Sequence, residues 1–291
     1  MQTVTIHQQP ARLRRPVLIA AFCGWNDAGE AASAAVRALR EELDASLFAE
    51  IDAEDFIDFQ QTRPMVRIVD GRRRIDWPRN RFWRAELPGI DRDVIILEGT
   101  EPNLRWQAFC AEVVGLARSV GVDEVVTLGA LQVDVPHTQA VPVTGSADSD
   151  EVAQRLGLRA SSYEGPTGIT GVLSLACAEV GMSSISMWAG VPHYLAGTSY
   201  LVAALALADR VVGLLGADLS LDRLAQDAAK QRDDIADLVQ RDEDLAEYVE
   251  ELEQRGASVA SERDSQMADR DDVTGDELAA EFERYLRERG S

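Results

Sequence analysis

Two of the three histidines in this chain sit in the same tripeptide, Val135-Pro136-His137 and Val191-Pro192-His193. Each follows a strand-like segment, so both can arrive at one edge of a sheet. A carboxylate beside either of them (Glu98, Glu101 or Glu164) would give a pair able to move protons; satisfied loop histidines fit the same pattern. Tyr194 follows the second histidine directly. A second candidate segment is Gly24–Gly29, GWNDAG, which joins a first strand to a first helix. There Asn26 or Asp27 is placed to cap the helix, and Trp25, Asn26 and Asp27 together could touch a ligand at the sheet edge. The richest segment is Tyr163–Gly171, YEGPTGITG. Its glycines, Gly165 and Gly168 above all, allow close backbone approach, and Pro166 suits a first helical turn. A helix N-terminus here, flanked by Glu164 and Thr167, can hold an anion. Tight packing of a helix on a sheet accounts for the glycines equally well.

The spacing matches neither G-x-G-x-x-G nor G-K-[ST], and the chain contains no H-E-x-x-H, paired C-x-x-C or G-x-S-x-G. No catalytic residue, metal site or cofactor is therefore assigned. Lys230 is the sole lysine and lies in a highly charged stretch, a poor setting for a Schiff base or a Walker-type phosphate contact. The balance of 29 basic and 50 acidic residues, a net charge of −21, argues against binding nucleic acid or anionic lipid. No apolar run reaches the roughly 18 residues of a membrane span. Residues 17–23 after Arg12, Arg14 and Arg15 imitate a signal peptide, but the run is too short and passes into GWND, so it reads as a buried strand. Cys23, Cys110 and Cys177 lie in apolar settings, as core thiols of a cytoplasmic protein would.

These loops need a frame, and the first 215 residues supply one. Strands are expected at 17–22, 46–51, 94–98, 124–128 and 184–187. They alternate with helices at 27–43, 103–120, 167–180 and 198–215. Such alternation implies an α/β fold, a mostly parallel sheet with helices on both faces. The arginine-rich stretch 63–86, turning at Asp70-Gly71, reads as an insertion or hairpin arm.

Residues 1–217 then make the α/β core domain, and the character changes after them. The remaining 74 residues hold 23 acidic and 10 basic side chains. A heptad register puts Leu221, Ala228, Ile235, Asp242 and Val249 at one seam position, and Leu224, Gln231, Leu238, Leu245 and Leu252 at the other. Eight of these ten are apolar, which predicts one long acidic helix over 218–255, with about 48 Å of it in the seam at 1.5 Å per residue. It would pack on the core or on a partner subunit. A polar linker at 256–275 and a short helix at 276–291 follow.

GWNDAG at Gly24–Gly29, GALQVDVPHT at Gly129–Thr138, SYEGPTGITG at Ser162–Gly171 and SMWAGVPHYL at Ser186–Leu195 resemble the proteasome assembly chaperone 2 family, and its actinobacterial members best. The resemblance covers roughly residues 15–255. It implies a body like the phosphorylase/hydrolase folds with an acidic C-terminal helical extension. It also implies a non-enzymatic role in protein assembly, with proteasome subunits or another assembly as partner. By analogy with related folds a homo-oligomer, most simply a trimer, is expected. Some archaeal relatives engage the proteasome through a C-terminal hydrophobic–Tyr–any-residue tail; this chain ends Arg287-Glu288-Arg289-Gly290-Ser291 and departs from that pattern. The alternative is a small-molecule enzyme or binder working at the sheet-edge loops. It would be an ATP-dependent carboxylate–amine ligase or a nucleoside-phosphorylase-like protein.

Overall fold

Alternate residues of Val17–Cys23 enter opposite cores: Val17, Ile19 and Ala21 pack on one side, Leu18, Ala20 and Phe22 on the other. A strand covered on both faces has no polar positions to alternate with, which is why this one reads as a continuous apolar run. The computed structural model describes residues 3–8, 13–161, 163–195 and 197–267, with side chains described to residue 255. In chain order the strands are β1 (Val4–Ile6), β2 (Val17–Cys23), β3 (Ser46–Ile51), β4 (Met65–Val69), β5 (Arg72–Asp76), β6 (Asn80–Glu86), β7 (Asp93–Thr100), β8 (Glu124–Val133), β9 (Val143–Ala147), β10 (Arg159–Ala160) and β11 (Ser183–Pro192). The helices are α1 (Ala31–Glu42), α2 (Trp106–Ser119), α3 (Asp150–Leu156), α4 (Ile169–Glu179), α5 (Leu201–Leu215), α6 (Asp222–Arg241) and α7 (Glu243–Met267).

Nine strands form one mixed sheet in the order β1-β3-β6-β7-β2-β8-β11-β9-β10. Its centre, β7-β2-β8-β11, is parallel. On one flank β6, β3 and β1 are joined by antiparallel pairing, and on the other β9 runs antiparallel to β11. Helices α1, α5 and α6 bury one face, α2 and α4 the other, so the α/β expectation holds. No described helix is long and apolar enough to cross a membrane.

Four expectations need correction. Cys110 and Cys177 are buried, but Cys23, expected as a core thiol, is exposed at the end of β2. Only β4 and β5 of the stretch 63–86 stand off the body; β6 is a sheet strand between β3 and β7, with Phe82 fully buried. The single long helix is two. Asp242 adopts extended backbone between α6 and α7, and its Oδ1 accepts the Leu245 N–H at 3.1 Å. A carboxylate in an apolar seam is costly to bury, and here it caps a new helix start. Helix α7 also runs on to Met267, through the first part of the expected linker. The terminal helix expected at 276–291 lies outside the described residues. Leu221, Leu224, Ala228, Ile235 and Val249 join the core of their own chain, Leu245 packs against it and Leu252 is buried, so most of the heptad seam is used internally.

Candidate functional site

In a parallel sheet the loops that follow the strands all leave from one edge. Here those are the loops after Cys23, Thr100, Val133 and Pro192. Helix α4 starts at the same edge, since its far end leads into the beginning of β11 at the opposite one. The segments singled out by sequence therefore share an edge, and they form two clusters on it.

The first cluster is organised by Glu101, the residue directly after β7. Its Oε1 accepts from Asn26 Nδ2 at 2.8 Å and from the Ile169 N–H, at the N-terminus of α4, at 3.2 Å. Its Oε2 accepts from the Trp25 N–H at 2.9 Å. One carboxylate thus ties together the loop after β2, the loop after β7 and the start of α4. Free N–H groups at a helix start, with the helix dipole behind them, favour an anion. The chain supplies that anion itself. Gly168 is required for the approach: a Cβ there would lie 2.2 Å from Asn26 Nδ2. Gly24, at φ +153°, leaves the room that a Cβ would take from Glu101.

Asn26 is only 2% exposed and its main-chain oxygen accepts from the Ala130 N–H of β8 at 2.8 Å. Asp27 caps α1, its Oδ1 accepting from the Ala32 N–H at 2.7 Å and the Ser33 N–H at 3.3 Å. Burial pushes the Asp27 carboxyl above its usual range, and the hydrogen bonds from Ser33 and Ala32 pull it back in part. Three buried atoms here have no hydrogen-bond partner: Asn26 Oδ1, Asp27 Oδ2 and Thr170 Oγ1. The Trp25 ring is exposed.

The second cluster lies farther out. Strand β8 meets Asp27 at Ala130 and then runs beside β11 to the pair Val133–Pro192, about 10 Å on at 3.3 Å per residue. There the two Val-Pro-His segments meet through Tyr194. The Tyr194 hydroxyl accepts the His137 N–H at 2.6 Å and lies 2.8 Å from His137 Nδ1. Burial lowers the His137 pKa, opposed by the charge of Glu253, and burial pushes Tyr194 up to about 12. His193 Nδ1 lies 2.9 Å from Asp134 Oδ1, and its Nε2 lies 3.0 Å from the hydroxyl of Tyr248 on α7. The Thr138 hydroxyl donates to Glu253, also on α7. Helix α7 thus packs against this cluster.

Neither histidine pairs with a carboxylate named from the sequence. Glu98 instead binds Arg40 at 2.7 Å and Arg37 at 3.3 Å, both on α1. Glu164, Gly165 and Thr167 are exposed on the connection into α4, while Gly168 is buried. Asp134 and Tyr248 were absent from the sequence-derived set, and Glu101 entered it only as a possible histidine partner. The signal for Glu101 was its position, a carboxylate immediately after a buried parallel strand. Nothing in the acidic run around Tyr248 marked that residue. Among the described residues no group of three His, Cys, Asp or Glu could hold a metal ion.

Residues 21–239 match the family model of the PAC2 family. A solved PAC2 family protein from Streptomyces avermitilis is 42% identical with a TM-score of 0.74, over 80% of this chain and 99% of that one. A proteasome-assembly chaperone homologue from Mycobacterium tuberculosis is 44% identical with a TM-score of 0.72, again over 80% and 99%. An archaeal proteasome activator from Pyrococcus furiosus, 20% identical with a TM-score of 0.67 over 81% of this chain and 98% of that one, shares the fold. The search of curated proteins finds no match.

Proposed function

From the premise that the chain belongs to the PAC2 family, we propose that it is a cytoplasmic, non-enzymatic protein-assembly factor acting on proteasome subunits or another multisubunit complex. The observation that carries this reading is Glu101. Its carboxylate occupies the anion position at the start of α4 and ties three segments together. A phosphoryl-transfer site would need that position free, with cations around the phosphates and carboxylates for magnesium. The glutamates Glu98 and Glu101 are both committed to partners within the chain. Proteins that act by association have no such requirement.

Self-association, as a trimer, is part of the same reading. Its source is not the heptad seam, most of which packs internally. The proposal is tested by mixing the purified full chain with purified proteasome subunits and following assembly by native gel. Faster assembly and co-migration are expected; an unchanged assembly rate with no co-migration overturns the proteasome reading. Double replacement of His137 and His193 is expected to leave partner binding largely intact.

A second reading, a small-molecule binder or ligase at the same edge, is favoured by the unpartnered Asn26 Oδ1, Asp27 Oδ2 and Thr170 Oγ1. Magnesium-dependent ATP turnover that disappears on replacing Glu164 or His193 would promote it over the first.

A further inference from the structure

All ten residues of β4 and β5 are exposed, and the two strands form a sheet of their own, unpaired with the main one. An isolated two-stranded hairpin is at best marginally stable in water. Its base is rooted by an edge-to-face contact of Trp77 with Phe59 at 5.0 Å. The register pairs Val66 with Ile75 and Ile68 with Arg73. Side chains alternate along a strand, so these four share one face; Ile68 is 76% exposed. The segment 63–77 carries five arginines against two aspartates, in a chain of net charge −21. An apolar strip bearing arginine thus projects from an acidic molecule.

The structure also holds a surface of the opposite kind. Leu238 of α6 is the exposed apolar residue of the heptad seam, at 55%. Around the junction of α6 and α7 stand exposed Asp234, Asp237, Asp242, Glu243 and Asp244, against one arginine, Arg241, which pairs with Asp237 at 3.7 Å. We propose that the β4–β5 arm of one copy docks on the α6–α7 junction of a second copy, Ile68 and its apolar neighbours against Leu238 and Arg73 of the same face against the acidic residues, with Arg72 and Arg74 on the other face adding to the arm's positive field. Pairing arm with arm would instead bring the arginine clusters together. Because the two surfaces differ, the contact is heterologous, and its repetition closes a ring when the rotation between copies allows. This inference rests on the self-association in the reading above and names its interface.

Light scattering on the full chain at micromolar concentration, coupled to size exclusion, tests it. Wild type is expected to run as an oligomer that weakens with salt. The arm-reversed variant Arg72→Glu/Arg73→Glu/Arg74→Glu is expected to run as a monomer with an unchanged circular dichroism spectrum. Adding Asp234→Arg, Asp237→Arg and Asp244→Arg to that variant is expected to restore the oligomer. Ile68→Ser and Leu238→Ser should each weaken association at least tenfold without charge reversal. A monomeric wild type overturns self-association and this interface together. An oligomer that survives arm reversal overturns the interface alone, and so does failure of the combined reversal to restore assembly.

Discussion

The Glu101 cluster and the β4–β5 arm handle their exceptional groups in opposite ways. At the sheet edge, charged and polar groups that could meet a ligand are turned on one another: Glu101 holds Trp25, Asn26 and Ile169. On the arm, apolar side chains that would ordinarily be buried face solvent, Met65, Val66, Ile68 and Ile75 among them. Polar groups satisfied inside the chain stabilise its fold, whereas an exposed apolar strip on a basic hairpin gains free energy only when something covers it. Under the proposed function and interface, the edge serves structure and the arm association, the opposite of what the positions of the histidines suggest in the sequence.

The comparison breaks first at Glu101. Replacing it with alanine leaves three donors without their acceptor and is expected to cost about 3 kcal/mol, seen as a lowered urea midpoint. Glu101→Gln keeps one accepting oxygen and should cost less. If Glu101→Ala is as stable as wild type, the carboxylate does not tie the edge together. Gly168→Ala comes next. Its Cβ would lie 2.2–2.6 Å from side-chain atoms of Asn26, so about 2 kcal/mol of destabilisation is expected from overpacking.

A smaller effect is expected from acid. The His137 pKa is lowered by burial, so below its unfolded value of 6.5 the unfolded chain binds a proton that the folded chain resists. This contribution is zero above that pH and turns destabilising as pH falls through it. Amide protection factors in 243–253, which remove the intrinsic pH dependence of exchange, should therefore fall on acidification more in wild type than in His137→Gln; an equal fall in both would remove His137 as the cause. The smallest effect belongs to the arm. Ile68→Ser touches no core and should change the unfolding free energy of a monomeric sample by less than about 0.5 kcal/mol. A large loss would show that the arm supports the fold.

The parts of this molecule legible in sequence are those where one residue type has one use. The run Val17–Cys23 reads as a strand because both of its faces are covered. Gly168 stands out because a close approach excludes a side chain. Asp27 reads as a cap, and it caps. Strand β9, with the small residues Val143–Ala147, carries no pattern that separates it from a loop, and β6 reads as extended chain at 82–87 but, among its arginines, as part of the arm rather than of the sheet. The break at Asp242 was already written as an acidic residue in the apolar seam. What sequence could not give was pairing. Glu98 and Glu101 are equally acidic, yet the pleat turns Glu98 towards the arginines of α1, while Glu101 follows the strand and reaches α4. The two histidines found each other through Tyr194 and a helix more than 50 residues away, contacts that only tertiary structure creates.

The measurement that bears most directly on a closed edge is a thermal-shift titration of the full chain with magnesium nucleotides, nucleosides and orthophosphate, each to millimolar concentration. With Glu101 in the anion position, no saturable rise in melting temperature is expected from any of them. A saturable rise of several degrees that Asn26→Ala abolishes would contradict the account, place a ligand site at the start of α4, and make the edge the working part of the protein.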